Sequence, residues 1–118
     1  MRPSFRAVHE LAITESLVAA VAENVGTARV ARVRLQVGQL AGVLPSALQF
    51  CFEACARGTP LEGATLQIDE IAARGRCRAC RAEMPMLTFV DACACGGLEV
   101  DLLSGQELRI KDVEVEVQ

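Results

Sequence analysis

Four cysteines set the chemistry that this chain can do: Cys77 and Cys80, then, after a gap of twelve residues, Cys93 and Cys95. Two close thiol pairs on one short segment are what tetrahedral Zn²⁺ requires, four soft ligands with each pair held by one tight turn. The first pair has the usual Cys-x-x-Cys knuckle spacing, and the gap is a little shorter than the roughly 15–20 residues of the ribbon pattern. The second pair is Cys-x-Cys. Residues two apart point the same way on an extended chain, so both of its sulfurs can still face one ion. Gly96 and Gly97 follow and give the backbone freedom to close the turn. A disulfide pair and a redox-active Cys-x-x-Cys are the competing readings. Structural zinc is favoured over both, because six cysteines without an export segment are expected to be reduced thiols, and clustered reduced thiols bind metal.

Arg74, Arg76, Arg78 and Arg81 crowd the first pair. They could form a docking patch for an acidic partner or a nucleic-acid backbone. The plainer reading is compensation: a zinc centre with four thiolates carries a formal charge of about −2, and nearby cations offset it. The chain has no Trp, no Tyr and four Phe, so it lacks the aromatic platforms that single-strand binding stacks on. A second cysteine pair, Cys51 and Cys55, lies at i, i+4 with Leu48 and Phe52 on the apolar stripe of a helix, and buried packing is preferred to metal binding there. His9 is the sole imidazole, and with Glu10 beside it offers a nitrogen and an oxygen donor. One His at a helix start is ordinarily a solvated surface residue. The chain has no Ser-His-Asp logic, no glycine-rich phosphate loop and no HExxH, so enzyme constellations are missing.

The elements that must position these groups follow from periodicity. At 118 residues and 52% hydrophobic, the chain can bury one ordinary core, built of Val, Leu, Ile and Ala. Its net charge of −3 gives no global attraction to nucleic acid or anionic membrane. No run approaches 18 apolar residues and no signal-type h-region begins the chain, so neither a membrane span nor export is expected, and the location is read as cytoplasmic. Residues 1–8 read as a loose tail. Ile13, Leu17, Val21 and Val25, with Val18 beside them, predict a helix over about 11–25, stopped by Gly26.

Residues 29–37 alternate as a half-buried strand with Val33, Leu35 and Val37 on one face and Arg32, Arg34 and Gln36 on the other. Gly38 and Gly42 mark a loop, Pro45 opens a second helix and Gly58-Thr59-Pro60 ends it. Residues 64–71 form a second strand with Leu66 and Ile68 inward. Residues 107–117 form a third, with Leu108, Ile110, Val113, Val115 and Val117 inward, a slip in parity at Lys111-Asp112, and an acidic outer face guarding an edge. The expected fold is α+β: a small three-stranded sheet with two helices, comprising residues 1–73 and 101–118, carrying an inserted four-cysteine zinc-ribbon-like module at 74–100.

Beyond this point the sequence resembles a known family. His9-Glu10-Leu11-Ala12-Ile13-Thr14 ahead of an amphipathic helix is similar to the N-terminal signature of the HypA/HybF family of nickel-insertion proteins for [NiFe] hydrogenase. The similarity continues through Val37-Gly38-Gln39-Leu40-Ala41-Gly42-Val43, Leu48-Gln49-Phe50, Gly58-Thr59, the paired cysteines and Gly105-Gln106-Glu107-Leu108, in order over residues 8–118.

The resemblance implies a non-enzymatic nickel metallochaperone with two metal sites. Its nickel would be held at a Met-His-Glu start by imidazole, free amine and neighbouring backbone amides, a nitrogen set that suits square-planar Ni(II). Carried over, His9 is the imidazole ligand and Glu10 its neighbour, while Cys77, Cys80, Cys93 and Cys95 hold structural zinc and form a platform for partners. The implied partners are a hydrogenase-maturation GTPase (HypB-like) and the hydrogenase large-subunit precursor. This chain departs from the family pattern in three places. Its second cysteine pair is one residue short. Val8 stands where the family has its initiating Met: either translation starts at a GTG codon for Val8 and restores Met-His-Glu, or residues 1–7 are present, the amine ligand is lost and nickel binds differently or more weakly. Leu44 occupies the loop position where some members carry a carboxylate, so no ligand is carried over there. Composition alone leaves a zinc-stapled α/β domain of unknown function, and the alternative to the nickel carrier is a zinc-ribbon module binding protein or RNA through its arginines, with no nickel role.

Overall fold

The computed structural model describes residues 5–116, in the order α1 (Phe5–Val25), β1 (Val30–Gly38), α2 (Pro45–Ala56), β2 (Thr65–Ile71), β3 (Arg74–Cys77), β4 (Glu83–Pro85), β5 (Val100–Ser104) and β6 (Leu108–Val115). The strands make two three-stranded sheets, ordered β2-β1-β6 and β4-β3-β5. This is the expected α+β class, two helices with small sheets. The chain divides into two compact units: residues 1–35, 43–68 and 110–118 in the first, residues 36–42 and 69–109 in the second.

In the first unit, α1 starts earlier than periodicity predicts. Residues 5–8, expected in a tail, are helical, while residues 1–4 lie outside the described residues. The physical reason lies on the buried face. That face runs Glu10, Thr14, Leu17, Val18, Val21, and its first two members are polar, so a search for apolar spacing misses them. Ile13 and Val25 are half-buried flanks of the stripe. Thr14 is satisfied locally, its Oγ1 donating to the Glu10 carbonyl at 2.7 Å. Gly26, at φ 62°, supplies the left-handed residue that ends the helix.

β1 alternates as expected, with Val33 and Leu35 buried. Helix α2 opens on Pro45 and closes before Gly58 at φ 76°. It buries Leu48, Cys51, Phe52 and Ala56, and Cys55 is half-buried. Burial pushes the Cys55 thiol up, helped by the charge of Glu15.

The largest departure is β6. Three of its apolar residues are not buried: Leu108, Ile110 and Val115 are each more than a third exposed, while Val113 is half-buried and Val117 lies outside the described residues. β6 is an edge strand with β1 as its one neighbour, so alternation alone overstated its burial. Its acids are tied to β1 instead: Arg32 pairs with Glu114, and Arg34 donates twice to Asp112, at 2.8 and 2.6 Å. In the second unit Arg109 donates to Gln36 at 2.6 Å.

The second unit holds three strands that periodicity did not find. β3 pairs antiparallel with β4 (Arg74 opposite Pro85, Arg76 opposite Glu83) and with β5 (Arg76 opposite Asp101, Cys77 opposite Val100). These strands are three to five residues long, too short for alternation to register. The unit's buried side chains include Cys77, Met86 and Cys93. Gly38, expected to mark a loop, is the last residue of β1, and a Cβ there would meet the Gly105 backbone at 2.1 Å.

Candidate metal centre

The end of β3 places Cys77 with its side chain fully buried. The chain then turns tightly: the Arg81 amide donates to the Cys77 carbonyl at 2.9 Å, and the Cys77 amide to Ala82 O at 3.0 Å. Arg81 sits at φ 65°, the sole non-glycine residue at positive φ among the described residues. The second knuckle repeats this plan one residue shorter. The Gly96 amide donates to the Cys93 carbonyl at 2.9 Å, Gly96 takes φ 93°, and the Cys93 amide donates to Gly97 O at 2.9 Å. The missing residue of Cys-x-Cys shrinks the turn without breaking it, since glycine here tolerates the positive φ that Arg81 adopts in the first knuckle.

The four sulfurs converge. Cys77 Sγ lies 3.6 Å from Cys95 Sγ, and Cys80 Sγ lies 3.6 Å from Cys93 Sγ. All four are within 4.8 Å of one another, and among the described residues no other group of three or more His, Cys, Asp or Glu is so arranged. A tetrahedral ion with Zn–S near 2.3 Å needs sulfurs about 3.8 Å apart, so the donor set fits a zinc-sized ion. All six cysteines are free thiols. Each sulfur pair bridges the two knuckles, so one ion can clip them together.

The electrostatics favour thiolate at one corner first. Amides of Cys80 and Ala79 donate to the Cys77 sulfur and, against burial, lower its pKa to about 7. Cys95 goes the other way: the Gly97 amide pulls it down, but the neighbouring thiols Cys93, Cys77 and Cys80 outweigh that and push it up to about 12. Four thiolates cannot coexist at this spacing without a cation between them.

Two of the four arginines expected to serve the thiolates, Arg76 and Arg78, are turned to carboxylates. Arg78 donates to Asp101 at 2.9 Å and reaches Glu99 at 3.4 Å, and Arg76 reaches Glu83 at 3.5 Å. The Asp101 contact raises the Arg78 pKa and holds the Asp101 carboxyl below its ordinary value. Apolar side chains are exposed on the same unit: Leu87, Phe89, Val90 and Leu98. The Leu87–Val90 tip is ordered by Asp91, whose carboxyl accepts from the Thr88 amide and hydroxyl and from the Leu87 amide at 3.2, 2.6 and 2.5 Å. Sequence reasoning missed this tip because no periodicity marks it.

His9 and Glu10 are placed apart in environment though adjacent in chain. His9 is exposed on α1; Glu10 is fully buried. Glu10 Oε2 accepts from the Leu44 amide at 2.7 Å, just ahead of α2, while its Oε1 is buried without a hydrogen-bond partner. The signal for this was the helix start at Pro45, where the first turn of α2 has no acidic residue to accept from the Leu44 amide.

Fold and site together define a small α+β metal-binding protein with a four-thiol centre on its own short-stranded unit. The chain belongs to the HypA family: the family model for hydrogenase/urease nickel incorporation, metallochaperone, matches residues 8–115. The chain is 52% identical over 110 residues to the hydrogenase maturation factor HypA of Geotalea uraniireducens, covering 92% of this chain and all of that one. It is 46% identical to the protein of the same name from Trichodesmium erythraeum, covering 92% of this chain and 96% of the other. The fold is shared with the solution structure of the Ni metallochaperone HypA from Helicobacter pylori, at TM-score 0.60 and 19% identity over 92% of this chain and 98% of that one. The family is a nickel-incorporation metallochaperone family acting in hydrogenase maturation, not a family of enzymes. Among the described residues, no helix is long and apolar enough to cross a membrane.

Proposed function

We propose that this protein carries Ni(II) to the hydrogenase large-subunit precursor, working in the cytoplasm beside a HypB-like GTPase, with Cys77, Cys80, Cys93 and Cys95 holding a structural zinc ion. The observation that carries the reading is the family match from residue 8 to 115, which includes His9, Glu10 and all four clustered cysteines. On this reading residues 1–73 and 101–118 serve nickel, and 74–100 serve zinc.

The nickel reading assigns the imidazole of His9 as the side-chain ligand, since it is exposed. Glu10 contributes through its backbone, as the family's neighbouring amide, because its carboxyl is buried against Leu44. The bond from Glu10 to Leu44 ties the His9 turn to the loop where some relatives place a carboxylate. As the fifth and sixth residues of α1, His9 and Glu10 have amides inside the helix, so amide ligation requires the first turn to unwind. The exposed Leu87, Phe89, Val90 and Leu98 support the use of the zinc unit as a platform for partners. The pairing of Arg76 and Arg78 with acids of their own unit weighs against an arginine-driven nucleic-acid module.

The test is nickel titration of the zinc-loaded chain and of His9→Ala. One nickel per chain, lost in His9→Ala with zinc retained, is the expected result. Nickel binding that survives His9→Ala sinks the assignment of the site.

A further inference from the structure

Two glycines follow Cys95, and their surroundings differ. Gly96 is at φ 93° with open space where a Cβ would stand, so glycine serves the backbone there. At Gly97 space is what requires glycine. A Cβ there would lie 2.7 Å from Cys77 Sγ, 3.3 Å from Ala79 Cβ and 3.4 Å from Cys95 Sγ. Neither side of this contact can yield easily. Gly97 is held by its carbonyl, which accepts from the Cys93 amide at 2.9 Å, and its own amide faces Cys95 Sγ at 3.4 Å. The Cys77 backbone is held opposite Val100 of β5, its amide donating to the Ala82 carbonyl and its carbonyl accepting from the Arg81 amide. What can move is the Cys77 sulfur itself, and it is one of the four donors.

We propose that Gly97 sets the size of the four-sulfur cage and with it the preference for a zinc-sized ion. It is a positioning residue that acts through Cys77. A methyl group at position 97 displaces Cys77 Sγ from Cys95 Sγ, now 3.6 Å away, and widens the tetrahedron. The tight Cys93–Gly97 turn sets Gly97 against the opposite knuckle, where a Cβ would meet Cys77 Sγ and Ala79 Cβ. A wider cage costs a small ion its bond lengths and costs a larger d¹⁰ ion of the same charge, Cd²⁺, less.

This inference rests on the reading of the cluster as a zinc centre, and the experiment separates the two. Zn²⁺ and Cd²⁺ affinities are measured on the full chain by competition with a chromophoric chelator, for the unaltered protein, Gly97→Ala and Gly96→Ala. The unaltered protein takes one zinc at this cluster. Gly97→Ala loses zinc affinity by about tenfold or more, as disturbing the support of a ligand does, while cadmium affinity falls less. Gly96→Ala weakens both ions in parallel. Equal loss of both ions in Gly97→Ala, including failure to take either, overturns the proposal, as does unchanged zinc affinity. If the unaltered protein takes no zinc at these cysteines, the zinc reading itself fails.

Discussion

Glu10 Oε2 and the Leu44 amide, 34 positions apart in the chain, are 2.7 Å apart in the fold. A carboxyl from α1 thereby does the work that a Glu in place of Ala47 would do in a capping box, accepting from the amide of the N-cap residue of α2. The arrangement has a cost: Oε1 is buried with no hydrogen-bond partner. A lost partner at a buried polar group is worth roughly 1–3 kcal/mol, comparable to what a cap contributes. Glu10→Ala is therefore expected to lower stability by about 1–3 kcal/mol, whereas Glu10→Gln, which keeps an acceptor for Leu44, stays closer to the unaltered protein. Urea unfolding followed by circular dichroism checks the order; an Ala variant as stable as the Gln variant would show that the cap carries little.

The four cysteines were legible as a cluster because ligand spacing is a local property, and local properties survive in sequence. The two helices, β1 and β2 were legible for the same reason. What was not legible is the part in which the sequence is locally quiet. The buried stripe of α1 begins with Glu10 and Thr14, polar residues whose partners are a distant amide and a carbonyl one turn back. The short strands β3, β4 and β5 are fixed by pairing to one another and by knuckle geometry, not by alternation. β6 alternates on either side of its parity slip and still leaves Leu108 and Ile110 more than a third exposed, since an edge position is decided by strand order.

Metal removal is expected to act unevenly. Apart from glycines, the second unit buries little beyond Val37, Ala73, Cys77, Met86 and Cys93, so a zinc ion clipping its knuckles would supply much of its order. The first unit has its own core of Leu17, Val18, Val21, Val33, Leu35, Leu48, Phe52, Leu61 and Leu66. Stripping the zinc-loaded protein with a chelator should expose the amides of Cys77, Arg81, Cys93 and Gly96 to hydrogen exchange, while amides within α1 and α2 keep their protection. Uniform loss across both units would show that zinc stabilises the whole chain at once.

The Arg34–Asp112 pair gives a pH dependence whose sign is fixed. Two charge-assisted hydrogen bonds from Arg34 hold the Asp112 carboxyl below its ordinary value. A group whose folded pKa is depressed contributes stability above its unfolded value, about 3.9, and loses it as pH falls through the folded value. The urea midpoint of the unaltered protein should exceed that of Asp112→Asn at pH 7, with the gap closing as pH drops below about 4. Because both side chains are partly exposed, the gap is small and shrinks with added salt. A gap that persists at low pH would assign the effect of Asp112→Asn to packing.

Gly38 and Gly58 separate two reasons for glycine. At Gly58, φ is 76° and a Cβ would meet nothing within 4 Å, so Gly58→Ala costs only the left-handed backbone penalty, roughly 1–2 kcal/mol. At Gly38 a Cβ would fall 2.1 Å from the Gly105 carbonyl carbon and oxygen and 2.5 Å from the Gln106 amide. These are backbone atoms, fixed by the Gly38 amide donating to Glu107 O and the Leu40 amide to Gly105 O, each at 2.7 Å. No side-chain rotation relieves that contact, so the strands must separate. Gly38→Ala is expected to cost more than about 4 kcal/mol, in the range reserved for severe steric disruption, and to be recovered largely unfolded. Thermal unfolding of both variants decides it: a Gly38→Ala protein melting close to Gly58→Ala would mean that the crossing of β1 with the Gly105 turn is looser than these distances require.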